Sequence, residues 1–350
     1  MEKIEFASSI MGLSFDLEEL PFLIGGRKCL LLFQGGTKKL LEAVHIDSAA
    51  DLHTMEVPDG EGCKQIRVFE DIVKLMLENE FSRSDVIVAV GGGSLTDLAG
   101  FTASLYKRGM SLILIPTTLL GMVDAAIGGK NGIDFGGKKN MIGTFKHPDT
   151  VFIHTPFLRS LPELQYRSGL GEVIKYGVSL DPALLEYMNY QKDGIKARES
   201  NATMHVIERC VHAKVGIVKR DEHETIGIRE VLNFGHTVGH MIESSLDLAI
   251  PHGFAISAGM VIESAITEHL GFTVPGTSER IRKIVGEFVP ESFDIEFDME
   301  WSALRNDKKV KGSMIRLPVV RDIGMTEVME IRREIFEEAF SYVEIRSGWK

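Results

Sequence analysis

Over the first 150 residues, short and wholly apolar runs alternate with glycine-rich breaks. The runs at 29–33, 86–90 and 112–115 have strand length and no polar interruptions. That pattern predicts strands buried on both faces of a parallel sheet. They end at Gly35-Gly36, at Gly91-Gly92-Gly93 and at Pro116-Thr117-Thr118. Between them, apolar positions at helical spacing predict helices over 66–80 and 95–106. Strand, turn, helix, strand is the βαβ rhythm. From about residue 157 the rhythm changes to helical periodicity over 163–179, 202–219, 231–245, 255–270 and 277–288. The expectation is an α/β domain with a parallel sheet over 1–156 and a mostly α-helical domain over 157–350, with the boundary near Pro156.

Composition narrows the function classes. A chain of 350 residues, 44% hydrophobic and 25% charged, has enough apolar side chains for two ordinary cores. Its net charge of −11 argues against nucleic acid as a partner. No apolar run reaches membrane-spanning length, and the opening Met1-Glu2-Lys3-Ile4-Glu5 lacks a signal-peptide pattern, so a membrane partner is not expected. Cys29, Cys63 and Cys210 are odd in number, far apart and without a CxxC pair, which fits a reducing cytoplasm.

Three stretches carry candidate chemistry. In the first, the 86–90 run enters Gly91-Gly92-Gly93-Ser94, with Asp97 one turn into the predicted helix. Glycines let backbone N–H groups approach an anion, and a helix N-terminus adds positive potential, so this loop suits a dinucleotide pyrophosphate. A plain packing turn is the alternative, and the strand–turn–helix context favours the nucleotide. Thr117 and Thr118 close the next strand at the same edge, and Glu61 and Lys64 form a polar turn able to line the nucleotide. In the second, Asn233-Phe234-Gly235-His236-Thr237-Val238-Gly239-His240 is followed by His252-Gly253. His236 and His240 are four apart and would share a helix face. Such pairs are more often surface or core residues than ligands, but with His252 and the carboxylate of Glu172 they make a donor set for a catalytic zinc. In the third, cations gather beside glycines in an acidic chain: Lys130 after Gly128-Gly129, Lys139 and Asn140 after Gly136-Gly137, with Arg108, Lys175 and Arg229 elsewhere. The grouping points to a small anion, whereas Lys107, Lys138 and Lys219 read as solvated surface lysines.

Taken together, the stretches 91–109, 116–130, 137–143, 168–177, 229–243, 252–260 and 307–316 resemble the 3-dehydroquinate synthases of the sugar phosphate cyclase family. The resemblance implies an NAD-binding α/β domain and a helical metal-binding domain. It implies Zn2+ (or Co2+) held by Glu172, His236 and His252, with His240 a catalytic polar residue rather than a ligand. Asp124, Lys130, Lys139, Asn140, Lys175, Lys214, Arg229 and Asn233 match positions for the substrate's hydroxyls, carboxylate and phosphate. Arg108 matches an arginine that reaches the phosphate across a dimer interface, so a homodimer is implied. Lys308 or Lys309 matches a C-terminal lysine of the site. Glu61, Lys64, Asp97, Thr117 and Thr118 match NAD positions. The implied reaction converts 3-deoxy-D-arabino-heptulosonate 7-phosphate, a phosphorylated sugar acid, to 3-dehydroquinate and phosphate. It runs through oxidation at C5, phosphate loss, return of hydride, ring opening and an intramolecular aldol closure, as a step of the shikimate pathway of aromatic amino acid biosynthesis.

The chain departs from the family pattern at four places. Phe254 stands where Glu is usual, Ala125-Ala126 replaces a Ser pair, Asp134 stands where Asn is common, and the strand end reads Gln34-Gly35-Gly36. The alternatives are a metal-dependent polyol or glycerol-phosphate dehydrogenase of the same architecture, another sugar phosphate cyclase, and a non-catalytic NAD-binding protein. The first needs fewer of the cations at 130, 139, 175 and 229, and the last predicts a broken ligand set.

Overall fold

The continuous apolar runs become the middle of a seven-stranded sheet in the computed structural model, which describes residues 1–246, 250–293, 310–311 and 313–347. The strand order is β1 (Glu2–Glu5), β2 (Ile10–Ser14), β9 (Thr150–Phe152), β6 (Ser111–Pro116), β5 (Val86–Gly91), β3 (Lys28–Gln34), β4 (Asp51–Val57). Pairing is parallel except for the β1–β2 hairpin. Every residue of β5 is buried, as expected of a strand covered on both faces. The edge strand β4 exposes Asp51, Leu52 and Thr54, and Asp51 pairs with Lys28 (3.3 Å) and His53 (3.1 Å), which blunts an otherwise open edge.

Two compact units divide the chain between Leu161 and Pro162. In the first, a short α1 (Leu20–Ile24), α2 (Ile66–Glu78) and α3 (Gly93–Leu105) accompany the sheet. A separate antiparallel hairpin, β7 (Lys130–Phe135) and β8 (Lys138–Phe145), lies against α3, where the Ser104 and Thr144 hydroxyls meet at 2.8 Å. The helix predicted over 95–106 starts two residues earlier and ends in a tight corner. Lys107 (φ 46°) and Arg108 (φ 66°) are both left-handed there, followed by Gly109 at φ 117°. Two such non-glycine residues cost about 1–2 kcal/mol each. Lys107 is not simply solvated: its ammonium donates to the Phe81 carbonyl at 2.5 Å and lies 5.6 Å from the Tyr106 ring centre.

The second unit holds α4 (Glu163–Ser179), α5 (Pro182–Tyr190), α6 (Lys192–Lys196), α7 (Ser200–Arg220), α8 (His236–Ser245), α9 (His252–His269), α10 (Thr277–Phe288) and α11 (Arg333–Ser347). It also contains an antiparallel sheet, β10 (Val310–Lys311), β11 (Met314–Asp322) and β12 (Met325–Arg332), which the helical reading did not anticipate. The helix expected over 231–245 is not continuous. A 3-10 turn covers Ile228–Asn233, Gly235 turns left-handed at φ 79°, and α8 starts at His236. Among the described residues no helix is long and apolar enough to cross a membrane.

Candidate metal centre and nucleotide loop

Three helices of the second unit each present one donor. Glu172 lies in the middle of α4, while His236 and His252 are the first residues of α8 and α9. The Nε2 atoms of His236 and His252 each lie 3.6 Å from Glu172 Oε1, and the three donor atoms fall within 4.8 Å of one another. Glycine makes this convergence physically possible. A Cβ at Gly253 would sit 1.8 Å from the Ser168 carbonyl oxygen, so only glycine lets α9 touch the backbone of α4. Gly253→Ala is therefore expected to force α4 and α9 apart, costing about 3 kcal/mol or more by overpacking. Thermal unfolding and zinc content should fall together, and a variant with parental melting and zinc would show that the close approach is dispensable.

The electrostatics at this point favour positive charge. Glu172 is fully buried and forms an ion pair with buried Lys175 one helical turn on. Lys175 also lies 4.8 Å from the Tyr176 ring centre. The His236 and His252 imidazoles each have their other nitrogen engaged. His236 Nδ1 lies 3.1 Å from the Phe234 carbonyl oxygen and His252 Nδ1 lies 3.2 Å from Glu243 Oε1. An Nδ1–H directed at an oxygen turns the Nε2 lone pair toward the donor cluster, the usual arrangement around a bound metal. Burial works against charge on His252, but the neighbouring carboxylates of Glu172 and Glu243 outweigh it and raise its pKa to about 10. Two carboxylates aimed at one imidazole make a place for a cation, and one carboxylate plus two imidazoles suit zinc with an open position.

Other predicted residues of the unit lie around these helices. His240, exposed, follows His236 by one turn, with ring centres 5.4 Å apart and 6.2 Å from His252. It lies outside the convergent donor set. Lys214 is buried on α7 and Arg229 is buried in the 3-10 turn. The Arg229 guanidinium donates to the Glu222 carbonyl at 2.9 Å, and its backbone N–H donates to Asp221 at 3.2 Å. Asn233, half-buried, ends that turn. Lys308 and Lys309 lie outside the described residues.

In the first unit, β5 passes through Gly91-Gly92 into α3, which has no side-chain cap at its start. Ser94 lies in its first turn, the position where an anion meets backbone N–H groups and the helix dipole. The Gly92 N–H donates to Gln34 Oε1 at 3.0 Å, and Gln34 Nε2 donates to the Pro58 carbonyl at 3.2 Å. The unusual Gln34 thus braces the glycine loop. Thr117 follows β6 and its N–H donates to the Gly91 carbonyl at 2.9 Å, while Thr118 Oγ1 accepts from Gly121 N–H at 3.0 Å. Lys64, fully buried, donates to Asp97 at 2.7 Å and to Asn140, with Glu61 at 3.9 Å. Burial opposes its charge, and Asp97 and Glu61 outweigh burial, so its pKa is raised and it stays an ammonium.

The cations of this unit are not one cluster. Lys130 pairs with Phe145 and Phe135 with Lys138, so Lys130 and Lys139 lie toward opposite ends of the β7–β8 hairpin. Asn140 is left-handed at φ 54°, and its N–H donates to Asp134 at 2.8 Å. Asp124 lies in the single π-helical turn after β6, and Arg108 is exposed on the left-handed corner after α3. The sequence reading missed Glu243, Glu263 and Ser168, and it named Gln34 and Asp134 only as departures from the family pattern. Glu243 had a signal: it is seven residues from His236, on the same helix face.

Comparison with known proteins follows the same division. Residues 54–168 match the 3-dehydroquinate synthase N-terminal family and residues 169–310 the 3-dehydroquinate synthase C-terminal family. A 3-dehydroquinate synthase of Sulfurisphaera tokodaii is 44% identical over 278 residues, covering 77% of this chain and 79% of its own. Among solved structures, a 2-deoxy-scyllo-inosose synthase complexed with carbaglucose-6-phosphate, NAD+ and Co2+ superposes with a TM-score of 0.86 at 21% identity, covering 97% of this chain and 98% of its own. A 2-epi-5-epi-valiolone synthase from Streptomyces hygroscopicus with NAD+ and Zn2+ bound gives 0.83 at 23% identity, covering 99% and 98%. These two likenesses speak for the fold.

Proposed function

Because the chain belongs to the 3-dehydroquinate synthase family, we propose that it is the lyase that converts 3-deoxy-D-arabino-heptulosonate 7-phosphate to 3-dehydroquinate and phosphate. The observation that carries this reading is the convergence of Glu172, His236 and His252 with Lys175 paired to the same carboxylate. Glu172, His236 and His252 are the residues that would hold the divalent metal, and the Gly91–Ser94 loop with Asp97, Thr117, Thr118, Glu61 and Lys64 would hold NAD. When bound, NAD supplies reversible hydride transfer and the metal supplies Lewis-acid polarisation of substrate oxygens.

The chain's own residues do the rest by position and charge. Lys64 ties Asp97, a proposed nucleotide contact, to Asn140, a proposed substrate contact. Lys175, Lys214 and Arg229 are buried cations suited to the carboxylate and phosphate of a sugar acid, with Arg229 fixed by Glu222 and Asp221. Lys130, Lys139, Asp124, Asn233 and the C-terminal Lys308 or Lys309 complete the proposed substrate set, and His240 stands by the metal ligands as a hydrogen-bonding group. A homodimer is part of the proposal. Phe135, Met141 and Phe145 are exposed apolar side chains spread along the β7–β8 hairpin, and Arg108 lies at an exposed corner of the same unit.

The test is phosphate release from the heptulosonate phosphate with catalytic NAD+ and zinc, with NADH absorbance followed in parallel. Phosphate in stoichiometric excess over NAD+, without NADH accumulation, is the expected result. NADH accumulating on glycerol-type substrates with no phosphate released would make the protein a polyol dehydrogenase instead.

A further inference from the structure

Both histidine ligands open their helices, yet neither helix caps itself. The N-cap of α8 is Gly235 and that of α9 is Pro251, and neither provides a side-chain hydrogen bond. The first N–H groups of any helix need acceptors, and a cap normally comes from the N-cap side chain. Here the acceptors come from neighbouring helices. Glu263 on α9 accepts from Gly235 N–H (Oε2, 2.9 Å) and from Val238 N–H (Oε1, 2.9 Å). Ser168 on α4 accepts from Gly253 N–H at 3.0 Å.

We propose that this relay of borrowed caps, Ser168 of α4 to α9 and Glu263 of α9 to α8, sets the metal ligands, with Glu263 the positioning residue for His236. The proposal rests on Glu172, His236 and His252 being the metal ligands. One carboxylate at 263 serves both the N-cap and the N3 donors, work that a capping box divides between two side chains. Self-capping is closed to α8. Gly235 is left-handed at φ 79°, and a Cβ there would meet Met260 Cγ at 2.5 Å and the Ile256 carbonyl at 2.8 Å. Glu263 is 1% exposed, and a buried carboxylate is tolerated only when hydrogen-bonded. Two backbone donors and the positive end of α8 provide that stabilisation. The geometry links all three ligands. The helix bearing Glu172 caps the helix bearing His252, and three turns along that helix Glu263 fixes the start of the one bearing His236.

Glu263→Gln keeps the volume but sets an amide NH2 against one of the two backbone donors. The expected result is a folded protein by far-UV circular dichroism whose zinc affinity, by chelator competition, falls about ten-fold or more, within the range for outer partners of metal ligands. The visible spectrum of the Co2+-substituted protein should also change. Ser168→Ala should weaken zinc several-fold. If Glu263→Gln does not fold, Glu263→Asp, which keeps the charge but withdraws it by one methylene, carries the same two readouts. Parental zinc affinity and an unaltered cobalt spectrum in the folded variant would overturn the proposal, even if its melting temperature fell. His236→Ala is the control for the underlying reading: zinc binding unaffected by that change would remove the ligand assignment itself.

Discussion

His236→Ala should lose bound metal and turnover together while leaving NAD binding intact. The three donors come from three separate helices, and the His236 and His252 Nε2 atoms each lie 3.6 Å from one oxygen of Glu172. Removing one imidazole leaves a carboxylate and a single nitrogen, below the three protein ligands a catalytic zinc needs. A Lewis acid contributes several kcal/mol to stabilising developing charge, and each 1.36 kcal/mol is a factor of ten in rate, so phosphate release should fall about a thousand-fold or more. The Gly91–Ser94 loop proposed to hold NAD belongs to the other compact unit, so NAD titration should be unchanged. Metal content by atomic absorption, phosphate release and NAD affinity are the three measurements. Parental turnover in a protein shown to be metal-depleted would end the metal's role, and joint loss of metal and NAD binding would point to general unfolding.

The sequence made the centre of the fold legible because continuous apolar runs of strand length have few alternatives once glycine breaks bound them. β3, β5 and β6 follow from that pattern alone. The β10–β12 sheet was overlooked although Ile315, Leu317 and Val319 alternate inward along β11 and Gly324 turns left-handed before β12. The helical periodicity upstream set the expectation for the whole half. The break at Gly235 was hidden for a different reason. Apolar period continues through 231–245, and only the tertiary acceptor Glu263 and the contact with α9 explain why the chain turns left-handed there. The site was legible in proportion to how local its geometry is. Glu172 and Lys175, one helical turn apart, could be paired from spacing, while the bracing of Gly92 by Gln34 joins strands distant in sequence and that of Asn140 by Asp134 depends on the register of the β7–β8 hairpin. Local pattern suggested Glu61, Lys64 and Asp97 as nucleotide contacts and resemblance implied the same, and the structure adds that Lys64 binds Asp97 and Asn140 at once.

Lys175→Met should separate two functions of the ammonium that share one carboxylate. Lys175 engages Glu172 Oε2, and Oε1 of the same group faces the two histidine nitrogens. Both side chains are almost fully buried. Breaking a buried pair by deleting one partner costs about 3–5 kcal/mol, and methionine, which keeps the stem, should confine that cost to the charge. The cost should show in metal-free protein. Zinc offers Glu172 another cation, so the melting temperature of the loaded variant should recover toward the parent's. The same argument fixes the sign for metal binding. An ammonium and a dication sharing a carboxylate repel one another, by several kcal/mol at an effective dielectric constant of about 20, so zinc affinity should stay level or rise. Turnover should still drop, about a hundred-fold, because the substrate contact proposed for Lys175 would place a buried cation where charge develops during the reaction. Unfolding scans with and without zinc, chelator competition and phosphate release distinguish the alternatives. Unchanged turnover would take Lys175 out of the reaction, whereas zinc affinity falling with turnover would mean that the ammonium acts only by aiming Glu172 at the metal.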